Sequence, residues 1–259
     1  MRFPSCLRGV LGGLLVVWAV TAVQAQPQSP SSIQPQAQQG DDRPVAAEVP
    51  SRAAVQDSMA QRMQACVVCH GAEGRATNAE FFPRIAGKPQ GYLYNQLQNF
   101  KTGRRRHDAM EHLLRHMTPE YLNAIAAYFS ALDLPYPPAQ AGRLTPEQDA
   151  IARRLVFQGD PSRELPACVD CHGQAMAGML PAMPGLLTLP ADYLMAQFGG
   201  WRIGQRQAMA PDCMGEIARR LTPEEIGAVS RWLSAQTLPM GTRPEPARQL
   251  PMRCGSEAR

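Results

Sequence analysis

One short pattern constrains this chain more than any other: two cysteines, separated by two residues, with a histidine directly after the second. It occurs at Cys66–His70 and again at Cys168–His172. This order places two thiols for addition to the two vinyl groups of one porphyrin and an imidazole below the iron. The sequence therefore predicts two covalently attached haem c groups. The predicted attachment thiols and iron-ligating imidazoles are Cys66, Cys69, His70, Cys168, Cys171 and His172.

Two other kinds of site use the same cysteine spacing. A thioredoxin-like pair and half of a zinc site both contain two cysteines with two residues between them. Neither requires a histidine immediately afterwards, and no βαβ pattern surrounds either copy of the motif. Haem attachment is the interpretation that uses every residue of the pattern.

The first 25 residues have the pattern of a secretory signal peptide. Arg2 and Arg8 precede an apolar run, from Val10 to Val23, that is short for a membrane span, and small residues precede Gln26. We expect cleavage there and a periplasmic location, with an uncleaved anchor as the alternative. Residues 26–50 are rich in Gln, Pro and Ser and are predicted to form a disordered leader.

The charge of the chain is nearly balanced. The formal net charge is +4, and loss of Arg2 and Arg8 with the signal peptide would lower it by two. This balance argues against nucleic acid as a partner. The local cluster Arg104-Arg105-Arg106-His107 leaves two interpretations open, a solvated turn or a surface that faces haem propionates or an acidic redox partner.

The two motifs belong to a longer internal duplication. Residues 83–93 align with residues 184–194 without a gap, and the same register continues to Gly103 and Gly204. Each copy ends in a helix that begins with a capping threonine and a proline, at Thr118 and at Thr222. Thr145 starts a further helix that is expected to run to about residue 157.

We therefore expect an all-α fold of two tandem helical domains, with no convincing strand pattern. The predicted first domain covers residues 51–135, a Pro-rich linker covers 136–144, and the second domain covers 145–240, with a tail at 241–259. Each domain is small for a stable core, so haem is expected to supply much of the interior.

The second axial ligand decides whether a haem carries electrons or binds a substrate. A methionine thioether fills the site and raises the reduction potential. Met110 and Met214 occupy matching places before the capped terminal helices, so they are the predicted distal ligands. The alternatives that remain open are Met117, Met209, His107, His112 and His116. The spacing of His112 and His116 also suits a metal ion.

Other residues are expected to support these sites. A proximal imidazole normally donates its second N–H to a backbone carbonyl, and Pro83 and Pro184 occupy matching places for that role. Cys213 and Cys254 remain after the haem thiols are counted, and paired cysteines are usual in exported proteins. We predict a disulfide between them, with free thiols as the alternative.

Together, these features resemble the dihaem cytochromes c of the cytochrome c4 group. The resemblance covers about residues 60–238 and rests on both motifs, the segment 83–89, Tyr92-Leu93, Gly103-Arg104, Met110 and the helix at 124–129. It implies two class I cytochrome c domains, related by a pseudo-two-fold axis, whose haem propionates face each other. The leader, the tail with Cys254 and the loop before Met214 depart from the pattern.

The resemblance also implies a function. It indicates a periplasmic carrier of single electrons between respiratory redox partners, such as a membrane oxidase or a periplasmic dehydrogenase, with no substrate turnover of its own. Peripheral membrane contact is left open. The alternatives are a cytochrome subunit of a periplasmic dehydrogenase complex and a dihaem peroxidase, which needs one haem without a methionine ligand.

Overall fold

The computed structural model describes residues 57–77, 82–139 and 144–257. All of them belong to one compact unit, which spans Ala53–Arg259. The predicted signal peptide and leader lie outside the described residues. No helix in the described ranges is long and apolar enough to cross a membrane.

The first half of the described chain is helical. Its helices are α1 (Met59–Arg62), α2 (Gln64–His70), α3 (Gln90–Lys101), α4 (Asp108–Leu114) and α5 (Pro119–Ser130). The Thr118 side chain accepts a hydrogen bond from the Tyr121 amide, so α5 begins where the sequence predicts. Helices α3 and α5 pack around an apolar cluster that includes Leu93, Leu122 and Phe129.

The second half repeats this arrangement. Its helices are α6 (Pro146–Phe157), α7 (Cys168–His172), α8 (Ala191–Arg202), α9 (Cys213–Arg220) and α10 (Pro223–Ser234). Thr145 and Thr222 each form a complete capping box, which satisfies amides that the first helical turn leaves unpaired. Helix α10 packs on α6 and α8 around a larger apolar cluster that includes Leu155, Leu194 and Leu233.

A small hairpin in the second half departs from the expectation of no strands. Strand β1 (Gly178–Met179) pairs antiparallel with β2 (Met183–Pro184). Glu245 from the tail extends the pairing, because its amide donates to the Gly178 carbonyl at 2.9 Å. Strands of two residues carry no alternation of apolar and polar side chains, so the sequence pattern contains no signal for them.

The C-terminal tail packs against the second half. Leu250 and Cys254 are buried together with Cys171 and Met179. Cys254 forms a disulfide with Cys213, at a Cα–Cα distance of 5.2 Å. The tail therefore holds the start of α9 by a covalent bond.

We expect removal of this disulfide to destabilise the protein. Replacing both Cys213 and Cys254 with serine leaves the helices intact but frees a loop with a sequence separation of 41 residues. Closing a loop of that length lowers the entropy of the unfolded chain, so the double variant should lose about 4 kcal/mol of unfolding free energy. Guanidinium unfolding of the holoprotein measures the difference. Equal midpoints and slopes for the variant and the parent would contradict the expectation.

Candidate functional site

A single, mostly apolar cavity reaches both copies of the cysteine and histidine motif. Its wall includes Cys66, Cys69 and His70 from the first half, and Cys171 and His172 from the second. Cys168 packs beside it against the apolar cluster of the second half. The structure thus brings together motifs that are far apart in the sequence.

Each motif helix ends at its histidine because a glycine follows. Gly71 has φ +76° and Gly173 has φ +85°, a backbone conformation that favours glycine. A Cβ at Gly71 would lie 2.1 Å from the Ala76 carbonyl oxygen, and one at Gly173 would lie 2.8 Å from that of Gly178. The five-residue pattern does not include these glycines, although one follows the histidine in both copies.

Both imidazoles are oriented by a proline carbonyl. Nδ1 of His70 lies 3.0 Å from the Pro83 oxygen, and Nδ1 of His172 lies 2.8 Å from the Pro184 oxygen. A carbonyl can only accept, so each Nδ1 donates and Nε2 of the neutral ring keeps its lone pair. Burial lowers the pKa of both imidazoles, although the hydrogen bond to the carbonyl acts in the opposite direction. Both rings are thus prepared to bind a metal through Nε2.

The thiols do not have the character of a redox-active pair. Burial is the main cause that raises the pKa of the Cys66 thiol, and it raises the pKa of Cys168 to about 12 and that of Cys171 to about 11. A thioredoxin-like pair needs a lowered thiol pKa for nucleophilic attack. In addition, no group of three or more His, Cys, Asp or Glu side chains in the described ranges could hold a metal ion.

The methionines differ in their access to the cavity. Met110 in α4 and Met214 in the first turn of α9 both contribute to its wall. Met117 and His107 also contribute, whereas Met209 lines a separate small pocket. His112 and His116 are exposed and do not line the cavity. Met110 and Met214 are the matching pair that the duplication predicts.

The segment before Met214 is held in place by several bonds. The Asp212 carboxylate accepts hydrogen bonds from the amides of Ala208, at 2.8 Å, and Gly215, at 3.0 Å. The Gly255 amide donates to the Pro211 carbonyl at 2.9 Å, next to the disulfide. These contacts restrain the backbone on both sides of Met214.

Two arginines meet where the two halves join. Arg105 donates to the side-chain oxygens of Gln96 at 2.9 Å and Gln197 at 2.8 Å. Arg206 donates to the same two oxygens, at 3.3 Å and 2.6 Å respectively. The duplication pairs Arg105 with Arg206 and Gln96 with Gln197, so this junction has an internal two-fold arrangement.

The main chain reinforces the junction. The amide of Arg106 donates to the carbonyl of Gln205 at 2.8 Å, and that of Gln207 donates to the carbonyl of Arg104 at 2.6 Å. The cluster at residues 104–107 had two interpretations, a solvated turn or a surface that faces haem propionates or an acidic partner. The solvated turn describes only the exposed residues of the cluster. Arg106 and His107 are exposed, whereas Arg105 is half-buried and faces the cavity.

The junction has the chemistry of a site for carboxylates. No carboxylate in the described part of the chain forms an ion pair with Arg105 or Arg206, although Arg206 is buried. Nε1 of Trp201, on the cavity wall, is buried without a hydrogen-bond partner among the described residues. Buried cations and donors of this kind need an acceptor. Haem propionates supply such acceptors, so the thiols, imidazoles, methionines and arginines fit that cofactor.

Comparison with known proteins also indicates a c-type cytochrome. A family model described as Cytochrome c matches residues 55–133. The thiosulfate dehydrogenase electron acceptor of Thiomonas intermedia is 35% identical over 67% of this chain and 79% of its own length. Cytochrome c4 of Pseudomonas aeruginosa is 31% identical over 65% of this chain and 82% of its own length.

Two solved structures resemble the chain. Reduced cytochrome c4 from Pseudomonas stutzeri aligns with a TM-score of 0.58 and 28% identity, over 68% of this chain and 96% of that one. Thiosulfate dehydrogenase from Marichromatium purpuratum aligns with a TM-score of 0.57 and 34% identity, over 67% of this chain but only 36% of that one. The expected all-α fold and electron-transfer class are confirmed. The chain belongs to the cytochrome c4 family of electron-carrying cytochromes, whose haem c is bound covalently.

Proposed function

We propose that this protein carries single electrons in the periplasm on two covalently attached haem c groups. The observation that supports two groups is the doubled site. In each half, a helix of the motif ends at an imidazole that is oriented by a proline carbonyl on the wall of one cavity. The pattern of a signal peptide in residues 1–25 supports the location.

The residues divide into roles that are the same in both halves. Cys66 and Cys69 would hold one haem, and Cys168 and Cys171 would hold the other. His70 and His172 would bind the irons from one side, and Met110 and Met214 from the other. Haem iron accepts and releases one electron without a bond to a substrate when both axial positions are filled. This ligand set therefore favours a carrier over a peroxidase.

Arg105 and Arg206 have a separate role in this proposal. Their guanidinium groups would anchor haem propionates at the junction, where they donate hydrogen bonds with fixed geometry. Phe100 and Trp201 lie under the two guanidiniums, at 4.5 Å and 3.9 Å from ring centroid to Cζ. Stacking on these rings limits the motion of both cations.

Single substitutions of the two methionines test the ligand assignment. Met110→Ala and Met214→Ala should each remove about half of the near-infrared thioether-to-iron charge-transfer band of the oxidised protein, because each removes one of two sulfur ligands. The double variant should lose the band. Met209→Ala is the matched control, because Met209 lies outside the main cavity. A full band in both single variants would contradict the assignment.

The comparisons support a proposal for a more specific donor. Two relatives that are 35% identical to this chain are named thiosulfate dehydrogenase electron acceptors. We propose that the chain accepts electrons from a thiosulfate dehydrogenase and passes them to a further redox protein, such as a membrane oxidase. Such redox contacts are small and transient.

Reduction kinetics test this donor. Thiosulfate with a catalytic amount of a thiosulfate dehydrogenase should reduce the oxidised holoprotein rapidly, whereas thiosulfate alone should not. Stopped-flow absorption of the reduced haem bands measures both rates, with ascorbate as the positive control for reducibility. A protein that ascorbate reduces but the dehydrogenase with thiosulfate does not would contradict this donor.

A further inference from the structure

A buried lysine reaches from the first half of the chain into the second. Only 6% of the Lys88 surface is exposed, and its Nζ donates to the Gly185 carbonyl oxygen at 2.6 Å. Lys88 also lies on the wall of the cavity. A buried ammonium is rare because its desolvation costs free energy, so a lysine at this position needs compensating interactions.

The acceptor of this lysine lies next to a proposed iron site. Gly185 directly follows Pro184, whose carbonyl orients the His172 imidazole. A Cβ at Gly185 would lie 2.4 Å from the Ala177 carbonyl oxygen, so the backbone here is closely packed. The Lys88 ammonium therefore lies against the loop whose carbonyl orients the His172 ring.

The duplication places no charge at the equivalent position. The register that aligns Pro83 with Pro184 aligns Lys88 with Leu189, which is 7% exposed and packs in the apolar cluster of the second half. The first iron site therefore lacks a matching cation from the second half at this position. At this position, Lys88 makes the two sites unequal.

No other described group neutralises this charge. No carboxylate in the described ranges pairs with Lys88. Arg84, on the same segment, donates to the carbonyls of Leu134 and Pro135 and stacks over the Tyr136 ring. Burial, and secondarily the Arg84 cation, lowers the pKa of Lys88 to about 7, so the ammonium form prevails at pH 6.

We propose that Lys88 sets the reduction potentials of the two haems apart by raising the potential of the haem at His172. Ferric haem carries one more positive charge than ferrous haem, so a nearby buried cation disfavours the oxidised form. The haem at His70 is affected less, because the ammonium is directed at the other half. Electrons that enter at the first haem are then drawn toward the second. This inference rests on the proposal of two haems.

Removal of the charge tests the proposal. In Lys88→Met, the potential of the haem at His172 should fall more than that of the haem at His70. The equilibrium for electron transfer from the first haem to the second should become less favourable, on the order of tenfold. A redox titration at pH 6, followed by NMR of assigned haem methyl groups, resolves the two potentials. A pyridine haemochrome assay first measures the number of haems per chain. A failure of the two-haem proposal is thereby distinguished from a failure of the proposal for Lys88.

Further variants separate charge from packing. Lys88→Gln keeps a hydrogen-bond donor without the charge and should shift the potentials as Lys88→Met does. If Lys88→Met does not mature, Lys88→Gln still tests the proposal. Arg202→Gln removes an exposed positive charge and should not shift the two potentials relative to each other. Equal shifts of both haems in Lys88→Gln, or an unchanged haem at His172, would overturn the proposal.

Discussion

The hydrogen bond from each proximal imidazole to a proline carbonyl is the interaction on which the site depends. It links the end of a motif helix to the loop that precedes the next long helix, through His70 with Pro83 and His172 with Pro184. A ring held at Nδ1 presents Nε2 in one direction, so it would fix the position of a haem iron whichever side chain is the distal ligand. The glycines after each histidine make the turn that this geometry requires. The same constraint acts in both halves.

The junction adds an electrostatic requirement to this geometry. Arg105 and Arg206 share two glutamine oxygens and face the cavity without a paired carboxylate among the described residues. Neutral oxygens compensate two cations only in part, and uncompensated charge in an apolar setting opposes folding. Carboxylates from the proposed cofactor would remove that penalty for both halves at once. Cofactor binding and association of the two halves would then be coupled through the same side chains.

Much of the helical framework could be predicted from sequence because its signals are local. The threonine caps place the starts of α6 and α10, and α6 ends at residue 157 as expected. The hairpin at 178–184 and the inward direction of Arg105 could not be predicted in the same way. The first is too short to show a pattern, and the second depends on Gln197, which is 92 residues away. The contact of Lys88 with Gly185 spans 97 residues, so it too becomes visible only when the halves meet.

Three features distinguish the second half from the first. The hairpin supports the Pro184 carbonyl, the disulfide fixes the segment before Met214, and Lys88 brings a charge to the same loop. The position of the second half that corresponds to Lys88 carries Leu189, and the described part of the first half has no disulfide. A more restrained site reorganises less when its charge changes, and a nearby cation stabilises the reduced state. In the proposed arrangement, both effects act on the second site and favour electron flow toward it.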